Sequence, residues 1–439
     1  MEAPYAAMAS PPTPAMGVDQ LSHQLFSLLE TKFLFGAAAN GCLSSGPGTP
    51  VKDFLDAGRV RVLAIDGCGA GADDALLAAA ALARLEAKLR EQTEDPDARV
   101  ADFFDLAAGA GAGGVLAAML FLRGPDGRPR YSAQEALAFV AGSVGKKDWT
   151  GRRGRWAEIF RGSARSGGDR VFRRVFGDAT LRDTVAPLLV PCYDLATAAP
   201  FVFSRADAVE SDAFDFRLRD VCAATCAAGG AAVPVRSVDG ATAIAAASAG
   251  VAAMGNPAAA AITHVLHNKQ EFPLATGVDD ILVLSIGSGA TAAVSCGANT
   301  PVPARSPSPR DLERVTAEGV AGMVDESVAM AFRHGCGSNY VRIQASKAPV
   351  GAMLEQRNVE SVLFRGRRLS ERTNAEKVDA VAAELVKEQE RRRRSPLPNV
   401  AIKQVGTPRL SSATTASSGT TTARTASTMA SPASWDSRR

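Results

Sequence analysis

What this chain lacks narrows its function before any motif is found. It has almost no excess charge of either sign: 49 Lys and Arg stand against 46 Asp and Glu over 439 residues, a formal +3 at pH 7. So small an excess gives no chain-wide argument for nucleic acid, and no nucleic-acid partner is expected. Histidine is scarce at 4 residues. The cysteines (Cys42, Cys68, Cys192, Cys222, Cys226, Cys296 and Cys336) form no C-x-x-C pair and no Cys/His spacing suited to zinc. Neither a metal nor a cofactor is expected, and the thiols read as reduced and mostly buried. No run reaches the ~20 apolar residues that a bilayer-spanning helix needs. The start, MEAPYAAMASPPTPAMG, lacks the basic-then-apolar order of a secretory signal. A cytoplasmic protein, at most peripheral to a membrane, is the expectation.

What is present is a large reserve of apolar residues, 46% of the chain. That is enough for a substantial core, and the length suits roughly two to three domain-equivalents, or one large domain with tails. Residues 1–17 are rich in Ala and Pro and are expected to be disordered. Asp19 then caps an amphipathic helix with Leu21, Leu25, Leu28 and Leu29 at helical spacing. From Val60 the pattern becomes that of an α/β protein. VRVLAID (60–66) is a short β-branched run suited to a buried parallel strand, and GCGAGA follows it at once. A helix opens at Asp73 and Asp74, carries Leu82, Leu85 and Leu89 as an apolar stripe, and must stop before Pro96. Phe103–Ala108 repeats the strand, GAGAGG the glycine turn, and Val115–Leu122 the helix. Runs at 187–190, 201–203 and 281–286 extend the sheet. Asn256-Pro257 reads as N-cap and first residue of a helix, and 311–334 and 374–390 as late helices. Beyond Arg391 the Ser/Thr/Ala-rich composition predicts disorder. The globular part is therefore placed at 18–390, with a core at about 60–290 and a helical part at 310–390.

The two glycine turns carry the functional signal. A glycine-rich turn between strand and helix lets backbone N–H groups face an anion. Gly67-Cys68-Gly69-Ala70-Gly71 misses the dinucleotide spacing by one residue, and no Lys-Ser/Thr follows for a phosphate loop. The anion is then better read as the oxyanion of acyl transfer. Gly109-Ala110-Gly111-Ala112-Gly113 has the frame of a G-x-S-x-G nucleophile elbow, with Gly111 in the serine position.

In sum, IDGCGAGA (65–72), FFDLAAGAGAGGVLAAML (103–120), PLLVPCYDLATAAPFVFSRADA (187–208), VCAATCAA (221–228), NPAAAAITHVLHNKQEFP (256–273), GVDDILVLSIGSG (277–289) and ESVLFRGRRLSERTN (360–374) resemble patatin-related lipid acyl hydrolases. The likeness covers about 20–390 and is nearest to the plant class III branch, which carries glycine at the nucleophile position. It implies a three-layer α/β/α fold around a mainly parallel sheet. It also implies a Ser–Asp dyad, an oxyanion loop, and release of fatty acids from phospholipids or galactolipids in plant lipid breakdown and defence. On this chain the loop maps to Gly67, Cys68 and Gly69, with Gly71 where the family has arginine. The elbow frame maps to Gly109 and Gly113, and the nucleophile position to Gly111. The dyad aspartate position falls on Ser248 or Ala249. Asp239-Gly240-Ala241 matches the D-G-A motif literally but lies too far upstream, leaving Asp239 as a minor alternative.

Glycine supplies neither nucleophile nor base. Cys68 and Cys226 are the only nucleophilic side chains at motif positions, and His264 and His267 read as ordinary helix residues. Two readings stay open: a lipid acyl hydrolase with a departed dyad and weak activity, or an inactive lipid-binding or regulatory protein on the same fold. Residues 146–174 interleave ten Lys and Arg with Trp149, Trp156 and Phe160. That stretch is either an ordinary solvated lid or a contact with anionic membranes. Arg391–Arg394 reads equally as a nuclear address or a polybasic tether.

Overall fold

The structure is a computed structural model; it describes residues 58–67, 73–144, 168–227, 232–247, 254–288, 306, 309–333, 339–345, 348–362, 366–395 and 398–402. The expected N-terminal helix from Asp19, Cys68 and Gly69, the basic stretch up to residue 167, Ser248 and Ala249, and the tail beyond 402 lie outside them. The chain divides into two compact units, Met1–Ala57 and Gly58–Arg439, and every described residue belongs to the second.

The first half of that unit runs β1 (Val60–Ile65), α1 (Asp73–Thr93), β2 (Leu106–Gly109), α2 (Gly111–Phe121), α3 (Ala133–Val144), α4 (Gly168–Phe176), β3 (Leu188–Asp194), β4 (Ala199–Ser204), α5 (Arg205–Glu210) and α6 (Leu218–Thr225). The second half runs β5 (Val233–Arg236), β6 (Ala243–Ala247), α7 (Ala258–His267), β7 (Ile281–Ile286), α8 (Pro309–Arg333), β8 (Tyr340–Ile343), α9 (Val350–Glu355), β9 (Arg357–Val362), β10 (Gly366–Thr373) and α10 (Asn374–Arg394). The main sheet has the order β5-β6-β3-β2-β1-β7-β8, with β4 on β3. β3, β2, β1, β7 and β8 are parallel, while β4 and β6 run antiparallel to β3. β9 and β10 form a separate antiparallel pair.

The central strands read as unbroken apolar runs because both faces are covered. In β1, Val60 and Val62 pack with Ala261, Ile262 and Val265 of α7 and with Val328 and Phe332 of α8. Leu63 and Ile65 face the other way, into a cluster with α1, α2 and α10. β7 divides likewise, Ile281 and Val283 on one side and Leu282, Leu284 and Ile286 on the other. This is the expected three-layer α/β/α arrangement.

Element boundaries moved where polar groups decide them. β2 begins at Leu106 rather than Phe103, because Val100–Asp102 is a short 3-10 turn and the Asp105 carboxylate accepts the Arg61 N–H at 2.7 Å. α2 begins four residues before Val115, at Gly111, and all eleven of its residues are buried. At α7 the N-cap is Pro257, and Asn256 sits one residue earlier, its Oδ1 accepting the Ala258 N–H at 3.0 Å.

The expected end at 390 falls inside α10. A capping box opens this helix: Thr373 accepts from Glu376 N–H at 3.2 Å while Glu376 accepts from Thr373 N–H at 2.7 Å. The helix continues to Arg394 because two of its late arginines are fastened to the fold. Arg391 pairs with the fully buried Glu388 at 2.7 Å, which also binds Arg59 at 2.6 Å. Arg392 donates twice to the Asp105 carboxylate, at 2.5 and 2.6 Å, and Arg61 donates to the same group at 3.1 and 3.3 Å. Further on, Ala401 N–H donates to Glu271 O at 2.8 Å, and Asn399 reaches the Gly58 carbonyl.

Burial alone would raise the Asp105 carboxyl, but the charge of Arg61 and the hydrogen bond and charge of Arg392 outweigh it and hold the group at about 2. A carboxylate depressed in the folded state contributes stability that is complete above its unfolded value near 3.8 and is lost as pH falls toward 2. Acid titration of unfolding should therefore show a loss in that window that Asp105→Asn removes. At neutral pH the same variant strands Arg61 and Arg392 and should cost about 3–5 kcal/mol by urea denaturation.

Candidate functional site

The site is built where β1 and β2 end. The Gly67 N–H donates to Gly255 O at 3.0 Å, the Asp66 N–H to Ile286 O at 2.9 Å, and the Ala110 N–H to Ile65 O at 3.1 Å. Among the described residues, the backbone of Gly67 lies directly against that of Ala110. A Cβ on Gly67 would collide with the Ala110 carbonyl, one on Gly109 would lie 2.5 Å from Gly113 O, and one on Gly113 would lie 2.5 Å from Ile65 O. Glycine at 67, 109 and 113 is thus a condition of the close approach.

Gly111 occupies the tip of the elbow, between the end of β2 and the first turn of α2. Its φ is +52°, the left-handed region, and a Cβ there would sit 3.2 Å from Gly67 O. Its N–H donates to Thr225 Oγ1 at 2.9 Å, and that hydroxyl donates on to Pro191 O at 3.0 Å. Thr225, the last residue of α6, thereby joins the elbow to β3. No sequence signal marks this role, although VCAATCAA stood among the motif segments. Only the packing of α6 against α2 reveals it.

Beneath the first turn lies a charged floor. Asp66 is buried and receives Arg342 of β8 through two hydrogen bonds, 3.1 Å to Oδ1 and 2.5 Å to Oδ2. Arg342 also donates to Ser285 Oγ at 2.7 Å and Gln344 Oε1 at 3.1 Å, and lies 3.6 Å from Asp325, to which Tyr340 donates. Burial pushes the Asp66 carboxyl up, and the charge and hydrogen bonds of Arg342 oppose that rise. Arg342 itself is held as a firm cation, because the Asp66 charge overcomes its desolvation. Arg342, too, was not found from sequence, since it lies 276 positions from its partner.

The dyad position is bracketed by described neighbours. β6 runs antiparallel to β3 and heads toward the elbow, with its last residue, Ala247, beside Tyr193. Ser248 and Ala249 follow outside the described residues, and the chain returns at Met254 and Gly255, which accepts from Gly67. Asp239 is elsewhere, in the exposed turn between β5 and β6. Its Oδ1 accepts from Ser237 Oγ at 2.6 Å and from Ala241 N–H at 2.9 Å, and the first of these holds its carboxyl below the usual carboxylate range.

The thiols near the elbow are apolar filling. Cys192, Cys222 and Cys226 are buried in the larger core, and burial pushes Cys192 up to about 12 and Cys222 up as well. His264 lies on α7, on the opposite face of the sheet, against the Phe272 ring and 4.0 Å from Glu271. Among the described residues no group of three or more His, Cys, Asp or Glu is arranged to hold a metal.

Comparison with known proteins places this geometry. The family described as patatin-like phospholipase matches residues 63–262. Patatin-like protein 3 of Oryza sativa subsp. japonica is 52% identical over 399 residues, covering 85% of this chain and 92% of that protein. Patatin-like protein 7 of Arabidopsis thaliana is 42% identical over 428 residues, 89% of this chain and 85% of that protein. A third relative, named probable inactive patatin-like protein 9 of Arabidopsis thaliana, is 39% identical over 386 residues, 84% of this chain and 93% of that protein.

Thr225→Val keeps the volume and removes the hydroxyl, leaving the buried Gly111 N–H without its acceptor. The variant should lose about 1–3 kcal/mol in urea unfolding. Thr225→Ser should recover most of that loss. Equal stability of the valine and serine variants would show that the hydrogen bond does not hold the elbow.

Proposed function

The chain belongs to the patatin-like phospholipase family, and from that premise we propose that it takes a lipid acyl ester, from a phospholipid or galactolipid, against the Gly67 and Gly111 turns and hydrolyses it slowly, without an acyl-serine intermediate. The observation that carries this reading is Gly111 itself: the elbow keeps its left-handed conformation and its place at the head of α2, yet offers no hydroxyl. A water molecule then has to add to the ester carbonyl carbon. The adding water gives up one proton to solvent, the carbonyl–alkoxy bond breaks, the alkoxide takes one proton from solvent, and fatty acid and alcohol leave. The protein contributes positioning and charge stabilisation at the head of α2, where the Gly111 amide is held by Thr225 and the next amides have no acceptor within the helix. Hydrolases stripped of their reacting side chains keep about 10³–10⁴-fold rate over water from such terms, which sets the expected scale.

A second reading, lipid binding without turnover, is favoured by the same missing hydroxyl and by the dyad position falling on Ser248 or Ala249. Patatin-like protein 9 of Arabidopsis thaliana carries the word inactive in its name. Fatty-acid release from phosphatidylcholine and galactolipid by purified protein, against a heat-denatured control, decides between the two readings. Release above the control supports slow hydrolysis, and equal release supports binding alone.

Fluorophosphonate probes label activated serines, and no labelling is expected at 109–113. Gly111→Ser should not restore fast hydrolysis, because the new hydroxyl has no dyad aspartate and its Cβ enters a positive-φ position close to Gly67 O. It should instead cost about 1–3 kcal/mol of stability. Strong activity in Gly111→Ser would show that the dyad is complete elsewhere, with Asp239 the first residue to replace.

The basic stretch 146–174 belongs to the same proposal, as an electrostatic contact with anionic lipid that salt weakens. Arg173 and Arg174, its described end on α4, are exposed. Replacing Arg152, Arg153 and Arg155 with Glu should reduce co-sedimentation with anionic vesicles at low salt. Unchanged co-sedimentation would make the stretch ordinary solvated surface.

A further inference from the structure

The Asp66–Arg342 pair is a costly element on an otherwise apolar face of β1. Val60, Val62 and Ala64 occupy the other positions of that face. Desolvation offsets most of the attraction within a buried ion pair, and apolar residues of the same shape would serve the fold as well. The charge appears at the one residue that adjoins Gly67.

The pair also has to span the sheet. Ala64 of β1 lies beside Ser285 of β7, and Ser285 lies beside Arg342 of β8. Two strand spacings are about 10 Å, so only a long side chain reaches across. The row is kept clear for it. Ala64 and Ser285 are small, and Ser285 Oγ accepts from Arg342 at 2.7 Å. A Cβ on Gly287 would lie 3.1 Å from Arg342 Nη2 and would collide with Gln344 Oε1. The strand that carries the arginine is fixed from its other side. Asn358 of β9 donates through Nδ2 to the Arg342 carbonyl at 2.6 Å, and its Oδ1 accepts the Gln344 N–H at 3.0 Å.

From Asp66 the constraint passes to the elbow. The Asp66 N–H is held by Ile286 O at 2.9 Å, its carboxylate by Arg342, and the next N–H, of Gly67, by Gly255 O at 3.0 Å. Together these contacts fix the peptide between 66 and 67 and the direction of the Gly67 carbonyl. Among the described residues outside the chain neighbours and helix of Gly111, that carbonyl oxygen comes nearest to the place of a Cβ on Gly111, at 3.2 Å. Gly67 is thus the wall that faces the elbow tip. Resting on the reading that a lipid ester is held against the Gly67 and Gly111 turns, we propose that Arg342 is a positioning residue for its hydrolysis. Acting through Asp66, it holds the Gly67 carbonyl at the elbow tip and sets the gap in which the ester carbonyl and water meet.

The test compares wild type with Arg342→Met, Arg342→Lys and the double variant Asp66→Leu with Arg342→Met. Fatty-acid release from phosphatidylcholine gives kcat and KM, and mass spectrometry gives hydrogen exchange of the Asp66 and Gly67 amides. Asp105→Asn, which breaks a buried pair at the opposite end of the sheet, controls for lost stability. A misplacement of about 1 Å at a reacting site costs on the order of 100-fold in rate. Arg342→Met should therefore lower kcat about 10–100-fold with KM within about twofold, and should speed exchange of both amides about tenfold. The double variant leaves no stranded carboxylate, so it should regain most of the wild-type urea midpoint while kcat stays low. It carries the test if Arg342→Met alone does not fold. Arg342→Lys keeps the charge but not the two-pronged fork, and should recover only part of the rate. Asp105→Asn should leave kcat and the exchange of both amides unchanged. Recovery of kcat together with stability in the double variant, wild-type exchange in the Arg342 variants, or an equal effect of Asp105→Asn would each overturn the proposal. Absence of fatty-acid release by wild type overturns the hydrolytic reading alone. Exchange of the two amides is read without turnover and then decides whether Arg342 holds Gly67.

Discussion

The site depends on one constraint: two strand-to-helix turns pass each other in backbone contact. Gly67 lies against Ala110, Gly113 against the carbonyls of Ile65 and Asp66, and Gly109 against Gly113. A side chain at 67 or 113 would force β1 and β2 apart at their ends, where the strands are paired through Ile65 and Gly109, and one at 109 would push the head of α2 off its own strand. The contact also delivers the head of α2 to that end of the sheet and leaves Gly111 in a conformation that glycine adopts without cost. Thr225 then secures the tip from a third element, so the elbow is shaped by β2, α2, α6 and β3 together.

The sheet is pinned at both ends by buried carboxylates, each of which holds an arginine from the C-terminal part of the chain. At the elbow end Asp66 holds Arg342, and at the opposite end Asp105 holds Arg61 and Arg392. Removing one partner of such a pair strands a charge in a poorly hydrated place, so these residues act chiefly through the penalty for their loss. One consequence bears on function. Arg391 and Arg392 are committed to Glu388 and Asp105, and Arg394 lies 3.8 Å from Glu390, so most of the four-arginine run is paired within the fold.

An elbow kept in shape without its hydroxyl is consistent with a scaffold maintained for holding an acyl group as much as for cleaving it. The floor under Gly67, the glycine cradle and the buried α2 hold the elbow in shape under either proposed reading of the function.

Much of this was legible in the residues. Alternating faces of β1 and β7, both apolar, announced a covered parallel sheet, and the two strand–glycine–helix units announced where the site would lie, since tight turns and apolar runs are local properties. The start of α10 at residue 374 was legible too, and the capping box of Thr373 and Glu376 that fixes it is a local pattern that this expectation did not use. The start of α2 at Gly111 was not, because four glycines and alanines say little until the neighbouring turn requires their smallness. The end of α10 was misread because four arginines and a following proline look like solvent-exposed tail until Asp105 and Glu388, one of them 287 positions away, are found beneath them. Thr225 and Arg342 escaped altogether. Their roles consist of hydrogen bonds to Gly111 and Asp66, and partners 114 and 276 positions distant are brought together only by the folded sheet. Local pattern determined the layers and the glycine turns; long-range pairing of buried polar groups, which leaves no period in a sequence, decided what holds the site in place.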